Sequence, residues 1–144
     1  MKVVQTKDTM SDIYLDALRI RNQVFIVEQG VPMDREIDQD EPYSIHFVLY
    51  SDKKEALATL RLLPLDTEEI KLQRMAVREE ARGHGLGRVI VHDAEKFAKG
   101  QGFQTIILGA QLTAVDFYKS LGYTTYGDIF VDADMDHIHM KKSL

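Results

Sequence analysis

A chain of 144 residues, 44% hydrophobic and 28% charged, can bury the apolar core of one ordinary globular domain. Its net charge of −5 argues against a broad basic face for nucleic acid, and the lack of cysteine excludes a disulfide framework and a thiol nucleophile. The opening Met1-Lys2-Val3-Val4 is too short in apolar length for a signal peptide and no run is long enough to span a membrane, so a cytoplasmic protein with neither nucleic-acid nor membrane partner is expected.

Lys2 to Lys7, rich in valine, reads as a first strand. Ser11-Asp12 can cap the next element. Tyr14, Ala17, Leu18, Arg21, Val24 and Phe25 then recur at helical spacing, which predicts a helix to about Val27. Gly30, Pro32 and Pro42 break regular structure in the stretch that follows. Six of the nine residues from Asp34 to Pro42 are charged, and five of those are acidic. These carboxylates are expected in a solvated surface loop. Their functional reading is an acidic rim that attracts a cationic amine.

Ile45–Tyr50, Ala56–Leu65 and Ile70–Val77 read as strands joined by short turns, an antiparallel meander. A glycine-rich stretch, Arg82-Gly83-His84-Gly85-Leu86-Gly87-Arg88, comes next. Leu86, Val89, Ile90, Ala94, Phe97 and Ala98 then line one face of a helix that Gly100 and Gly102 end. Thr105–Leu108 is continuously apolar, as a buried parallel strand should be. Thr113-Ala114-Val115-Asp116 has the form of a capping box opening a last helix, closed by Gly122. Tyr123–Tyr126 and Met135–Lys141 read as two final strands. Residues 1–144 are therefore expected to form a single α+β domain with a mixed sheet.

The glycine stretch carries the clearest chemical meaning. A strand that ends in a sharp glycine turn and opens a helix leaves several N–H groups aimed at one spot, with the helix dipole behind them. That is a way to hold a pyrophosphate by main-chain donors, and Arg82 and Arg88 flank it with cations. The Gly-Lys-Ser/Thr ending of a Walker A loop is absent, and the glycine spacing is not that of a dinucleotide-binding fingerprint. The plainer alternative is a glycine-rich turn with no ligand.

The spacing of Arg82, Gly85 and Gly87 resembles the Q/R-x-x-G-x-G/A motif of the GNAT superfamily, the acetyl-CoA-dependent N-acetyltransferases. Phe117-Tyr118-Lys119-Ser120-Leu121-Gly122-Tyr123 resembles the F-Y-x-x-L-G-F/Y signature of the same superfamily, one helix and one strand further on. The stretch from Val24 to Pro32 is similar to the first-helix end of a small bacterial branch, the ElaA- and YjcF-type proteins. Two departures stand out. Gln111 replaces the asparagine of many relatives, and Met135-Asp136-His137-Ile138-His139-Met140 matches the branch pattern G-I-P-H-x-x-M only at His137 and Met140.

The resemblance implies a single GNAT-like acyl-CoA N-acyltransferase domain whose mixed, mostly antiparallel central sheet is flanked by helices. It implies acetyl-CoA as cosubstrate, no metal, and transfer to a primary amine of a small molecule (amino sugar phosphate, polyamine or amino acid) or to a protein N-terminus. A homodimer is an arrangement that relatives commonly adopt. The alternative is a non-catalytic acyl-CoA-binding or regulatory module on the same fold.

By the same resemblance, the main chain of Met75, Ala76 and Val77 would pair with the pantetheine arm, and one of its N–H groups would face the developing oxyanion. Arg82, Gly83, His84, Gly85, Leu86, Gly87 and Arg88 would hold the pyrophosphate, with His84 contributing its backbone rather than its ring. Gln111 would bond a pantetheine amide, and Phe117 and Tyr118 would line the thiol end. Tyr118 is the expected general acid for the leaving thiolate, since a tyrosine near 10 and a thiol near 8.5 are not far apart. Glu28 is the candidate base. His46 reads as a satisfied core or surface histidine. His137 and His139 alternate on a strand and so share a face, with Asp136 on the other, which is short of a metal site.

Overall fold

The computed structural model describes residues 1–144. The strands are β1 (Lys2–Thr6), β2 (Ile45–Tyr50), β3 (Ala56–Pro64), β4 (Glu69–Val77), β5 (Thr105–Gln111), β6 (Thr124–Asp132) and β7 (Met135–Ser143). They form a seven-stranded sheet in the order β1-β2-β3-β4-β5-β7-β6. Only β4 and β5 run parallel. A parallel pair needs a crossover, and α3 (Leu86–Gly100) supplies it. The other helices are α1 (Asp12–Arg21), the single turn α2 (Met33–Glu36) and α4 (Val115–Ser120). No helix is long and apolar enough to cross a membrane.

Strand alternation sends side chains to two cores. Phe47, Leu49, Ile70, Leu72, Ile106 and Leu108 pack with Ile90, Val91 and Ala94 of α3 and Tyr118 of α4. Val48 and Ala76 pack with Ala17, Ile20 and Val24 from the first helical segment. Ala76 would share a face with Ile70 and Leu72 if β4 were regular. Between Thr59 and Arg61 of β3, however, the partner residues in β4 shift from Ala76 to Gln73. The extra residue is a bulge in which Arg74 has φ 55°, a left-handed conformation uncommon outside glycine. The bulge reverses the alternation, so Met75 and Val77 turn toward the core under α3 and α4.

Four expectations need correction. The first helix does not run regularly to Val27. From Asn22 to Glu28 it widens into a π-helix, with the Gln29 N–H reaching Val24 O at 3.2 Å, and Val27 is left 70% exposed. The capping box does not form. Leu112–Ala114 make a 3₁₀ turn first, so Ala114 takes the cap position and no side chain bonds the helix start. The last strand pair is longer than its apolar pattern. Gly127, at φ 74°, sits where the β6 register shifts between Tyr126 and Phe130, and a tight turn at Ala133-Asp134 (φ 50° and 62°) closes the hairpin.

The fourth correction concerns the acidic stretch. Glu36 and Glu41 are buried, only 3% and 5% exposed. Arg21, 1% exposed, donates from Nε to Glu36 Oε1 at 2.6 Å and from Nη1 and Nη2 to the two Glu41 oxygens at 2.8 and 3.0 Å. Arg61 of β3 donates to Glu41 Oε2 at 2.6 Å and to Asp38 Oδ2 at 2.8 Å. Arg74 reaches Asp38 Oδ2 at 3.2 Å. The Tyr14 hydroxyl donates to Glu41 Oε1 at 2.9 Å; burial and that bond push its pKa up to about 12. These carboxylates fasten the stretch to α1, β3 and β4, because an arginine buried at a core position needs a buried anion.

Candidate active site

β4 and β5 pair only through Glu69–Lys71 and Thr105–Ile107. Beyond that point β4 stays with β3, and β5 stays with β7 as far as the Gln111–His137 pair. The two strands diverge and leave a cleft of about 940 Å³. The β5-facing edge of β4 from Leu72 onward, including Met75, Ala76 and Val77, has no strand beside it.

The glycine stretch closes one end of this cleft. Gly83 and Gly85 have φ 81° and 76°, a region that side-chain-bearing residues adopt at a cost. Gly85 caps α3, and the first helical bond runs from Val89 N–H to Gly85 O at 3.2 Å. The N–H groups from Gly83 through Arg88 have no acceptor within the protein. They form a continuous row of donors at a helix N-terminus, an arrangement suited to an anion. Gly87 is glycine for a different reason. A Cβ there would lie 2.8 Å from Met75 Cε and 3.1 Å from Phe117 Cζ.

Arg82 and Glu28, two separate expectations, meet each other. Both terminal nitrogens of Arg82 bond the Glu28 carboxylate, at 2.8 and 3.0 Å, while its Nε donates to Val77 O at 3.1 Å. Arg82 thereby ties the loop to the end of β4 and to the π-helix. Glu28 is not among the cleft-lining residues, and neither is His84. With both oxygens held by Arg82, Glu28 could serve as a base only after that ion pair opened. Arg88 lines the cleft, exposed, with one bond to Ser120 Oγ at 3.2 Å.

Tyr118 projects from α4 into the cleft wall, 7% exposed, with its ring edge-on to Phe117 and Tyr123. Its hydroxyl donates to the Met75 sulfur at 3.4 Å. Burial raises its pKa well above the ordinary tyrosine value, so the near match to a thiol does not hold in the free protein. Gln111 lines the opposite side and spends its amide N–H on Gln29 Oε1 at 3.2 Å. His46 lies apart, in the core: its Nε2 donates to Glu41 O at 2.9 Å, Tyr14 meets its ring edge-on, and burial lowers its pKa.

Sequence reasoning missed several residues of this cleft. Phe25 and Gln29 come from the π-helical segment and its end, Arg35 from α2, and Phe130 and Asp132 from β6. One signal for Phe130 was available: an isolated glycine inside an apolar strand marks a close approach. A Cβ on Gly109 would lie 3.1 Å from Phe130 Cζ. Arg35, Lys71 and Asp132 line the cleft without ion-pair partners, so the charge left open there is predominantly positive.

The family model described as an acetyltransferase (GNAT) domain matches residues 15–144. Over 128 residues the chain is 39% identical to YjcF, an uncharacterized N-acetyltransferase of Bacillus subtilis (strain 168), covering 88% of this chain and 90% of that one. The crystal structure of Escherichia coli ElaA superimposes with a TM-score of 0.84 at 26% identity, covering 98% of each chain. An aminoglycoside 6′-N-acetyltransferase complexed with coenzyme A has a TM-score of 0.77 at 19% identity, covering 99% of this chain and 97% of that one.

Proposed function

The chain belongs to the GNAT acetyltransferase family and is an acyl-CoA N-acetyltransferase; on that premise we propose that it moves the acetyl group of acetyl-CoA to a primary amine on a small molecule that also bears an anionic group. The observation that carries the cosubstrate assignment is the row of unpartnered N–H groups from Gly83 through Arg88, at one end of the cleft that Tyr118 lines. Such a row binds a pyrophosphate with donors fixed before it arrives. A solved neighbour of the same fold, an aminoglycoside 6′-N-acetyltransferase, is complexed with coenzyme A, which supports the choice of cosubstrate.

The other assignments follow the geometry. The free edge of Met75, Ala76 and Val77 takes the pantetheine arm as an added strand and offers an N–H to the thioester oxygen. Gln111 exchanges its bond to Gln29 for a pantetheine amide. Phe117 and Tyr118 wall the thiol end, and Arg88 supplies a cation near the phosphates. Arg82 is a positioning residue, acting through Glu28 and Val77 on the shape of the loop. Holding the thioester in one place between these groups supplies much of the rate.

The loop assignment has a direct test. Gly85→Val keeps the fold, because no other residue lies within 4 Å of the added Cβ, but a β-branched residue resists φ 76°. The expected result is a folded variant that no longer binds CoA in calorimetry. Unchanged affinity would remove the loop from the site.

The acceptor class follows from charge. Three of the five carboxylates that would draw a polyamine, Glu36, Asp38 and Glu41, are spent on Arg21, Arg61 and Arg74, whereas Arg35 and Lys71 are unpaired in the cleft. An amino acid or an amino sugar phosphate brings the anion these cations lack. Thiol release from acetyl-CoA, followed across an amine panel, should give the higher kcat/KM with amines that carry a carboxylate or phosphate. A preference for polyamines would overturn this choice of acceptor.

A further inference from the structure

One step of the transfer still has no residue. At neutral pH the acceptor arrives as an ammonium ion and must lose a proton before its nitrogen can attack. Glu28 is held outside the cleft by Arg82. His137, on β7 opposite Gln111 of β5, lines the cleft and is 8% exposed.

Three observations orient that ring. Its Nδ1 lies 2.8 Å from the carbonyl oxygen of Met135. A carbonyl only accepts, so Nδ1 carries the proton and the neutral ring has its lone pair on Nε2. Every buried side-chain nitrogen and oxygen in the protein has a hydrogen-bond partner, and Nε2 has none, so Nε2 is the accessible edge of the ring. Phe130 stacks on His137 with centroids 5.6 Å apart and on His139 at 4.4 Å. Phe130 is itself seated against Gly109, where an added Cβ would lie 3.1 Å from its Cζ. The imidazole is thus oriented by a hydrogen bond at one nitrogen and an aromatic face, with its other nitrogen unpartnered and accessible in a residue of the cleft wall.

We propose that His137 is the general base that deprotonates the acceptor amine, a role that rests on the acetyl-transfer reading above. Nε2 takes one proton from the ammonium group, and the freed lone pair forms the new C–N bond at the thioester carbon. The C–S bond then breaks with its electron pair on sulfur, and Tyr118 protonates that sulfur. The surplus proton on the new amide nitrogen returns to the Tyr118 oxygen, and His137 releases its own proton to solvent. The imidazolium formed on the way keeps its Met135 bond and gains the face of Phe130.

The other ionisable groups around this ring are few. β5, β6 and the turn before α4 pack against β7, and from these only Asp132 brings a charge to the cleft. His139 lies two residues along the same strand, and Tyr118 comes from α4. Across the cleft stand Lys71 and Arg74 of β4 and Arg35 and Glu36 of α2, the last already paired with Arg21.

His137→Asn tests the role, since an asparagine amide can still donate to Met135 O but has no basic nitrogen. With an amine that the wild type accepts, kcat should fall by about 10²- to 10⁴-fold. The limb of the pH–rate profile on which the rate rises with pH should disappear, and CoA affinity by calorimetry should not change. Exogenous imidazole should restore part of the rate. A structural role would leave the profile in shape and shift affinity or stability instead, and that result would overturn the proposal. Nitrogen-15 spectra of the unliganded protein give a second reading, with the Nδ1–H tautomer expected at His137; an Nε2–H tautomer overturns the assignment whatever the kinetics show. A wild type that acetylates nothing in the panel removes the acetyl-transfer reading and this role together, whereas an active wild type matched by His137→Asn removes this role alone.

Discussion

Tyr118→Phe is expected to lower turnover by about 10²- to 10⁴-fold while leaving the KM for acetyl-CoA nearly unchanged, the pattern of a lost general acid. The ring packs between Phe117 and Tyr123, and phenylalanine keeps that packing. In the free protein the hydroxyl bonds only the Met75 sulfur, a weak acceptor, so the variant should fold with little loss. Burial raises the tyrosine pKa, which keeps the hydroxyl protonated throughout a normal assay range. The pH profile of the wild type should therefore show no basic limb from Tyr118. Transfer to the thiolate remains workable because the same dry wall that disfavours the phenolate also disfavours a bare thiolate. Steady-state kinetics on the folded variant decide the matter. If turnover holds and acetyl-CoA affinity drops, Tyr118 is a binding residue and the sulfur takes its proton from elsewhere.

Glu41→Ala should produce a large loss of stability. The carboxylate is shared by Arg21 and Arg61, each 1% exposed, and its removal leaves two guanidinium groups buried beside each other. Breaking a buried pair of this kind costs about 3–5 kcal/mol, a large part of the stability of a single domain. Urea unfolding at neutral pH measures it, and a loss near zero would show that water enters and replaces the carboxylate. The same group gives a pH signature. Burial alone would raise the Glu41 pKa, but the Arg21 hydrogen bond and the charges of Arg21 and Arg61 outweigh it and hold the pKa at about 2 against an ordinary 4.5. A depressed carboxyl pKa stabilises the fold above the unfolded value, and the contribution is lost as pH falls from about 4.5 toward 2. Glu41→Gln should flatten the fall in urea midpoint over that window. A variant whose acid sensitivity equals that of the wild type would assign the loss to other carboxyls.

Much of this arrangement was legible from residue order. The apolar strands, the glycine turn between a strand and a helix, and the Phe117–Tyr123 segment all lie where pattern and resemblance put them. The acidic stretch was not, because a run of carboxylates defaults to solvent. The clue lay on the other partners. Arg21 occupies a helical position between Ala17 and Val24, and Arg61 stands between Leu60 and Leu62 in an apolar strand. Arginines at core positions call for buried anions, and only the Asp34–Glu41 stretch was rich enough to supply them. His137 was ambiguous for another reason. Alternation pairs it with His139, but which face of the sheet opens onto the cleft depends on the splay of β4 from β5, a long-range property. The capping box failed for a local reason, as a 3₁₀ turn absorbed Thr113 before the helix began.

The π-helical segment from Asn22 to Glu28 places a constraint on evolution that composition does not reveal. Its wider turn sets the rotation at which Phe25 and Gln29 meet the cleft and Glu28 meets Arg82. Deleting any one residue there would let the chain close into ordinary helical turns and rotate everything beyond by about 100°. Gln29 would then leave Gln111, and Glu28 would leave Arg82. Drift in this stretch can change letters at exposed positions such as Val27 and is barred from changing their number. Among descendants that keep the activity, substitutions in this segment should gather at its exposed positions, and gaps should be rare.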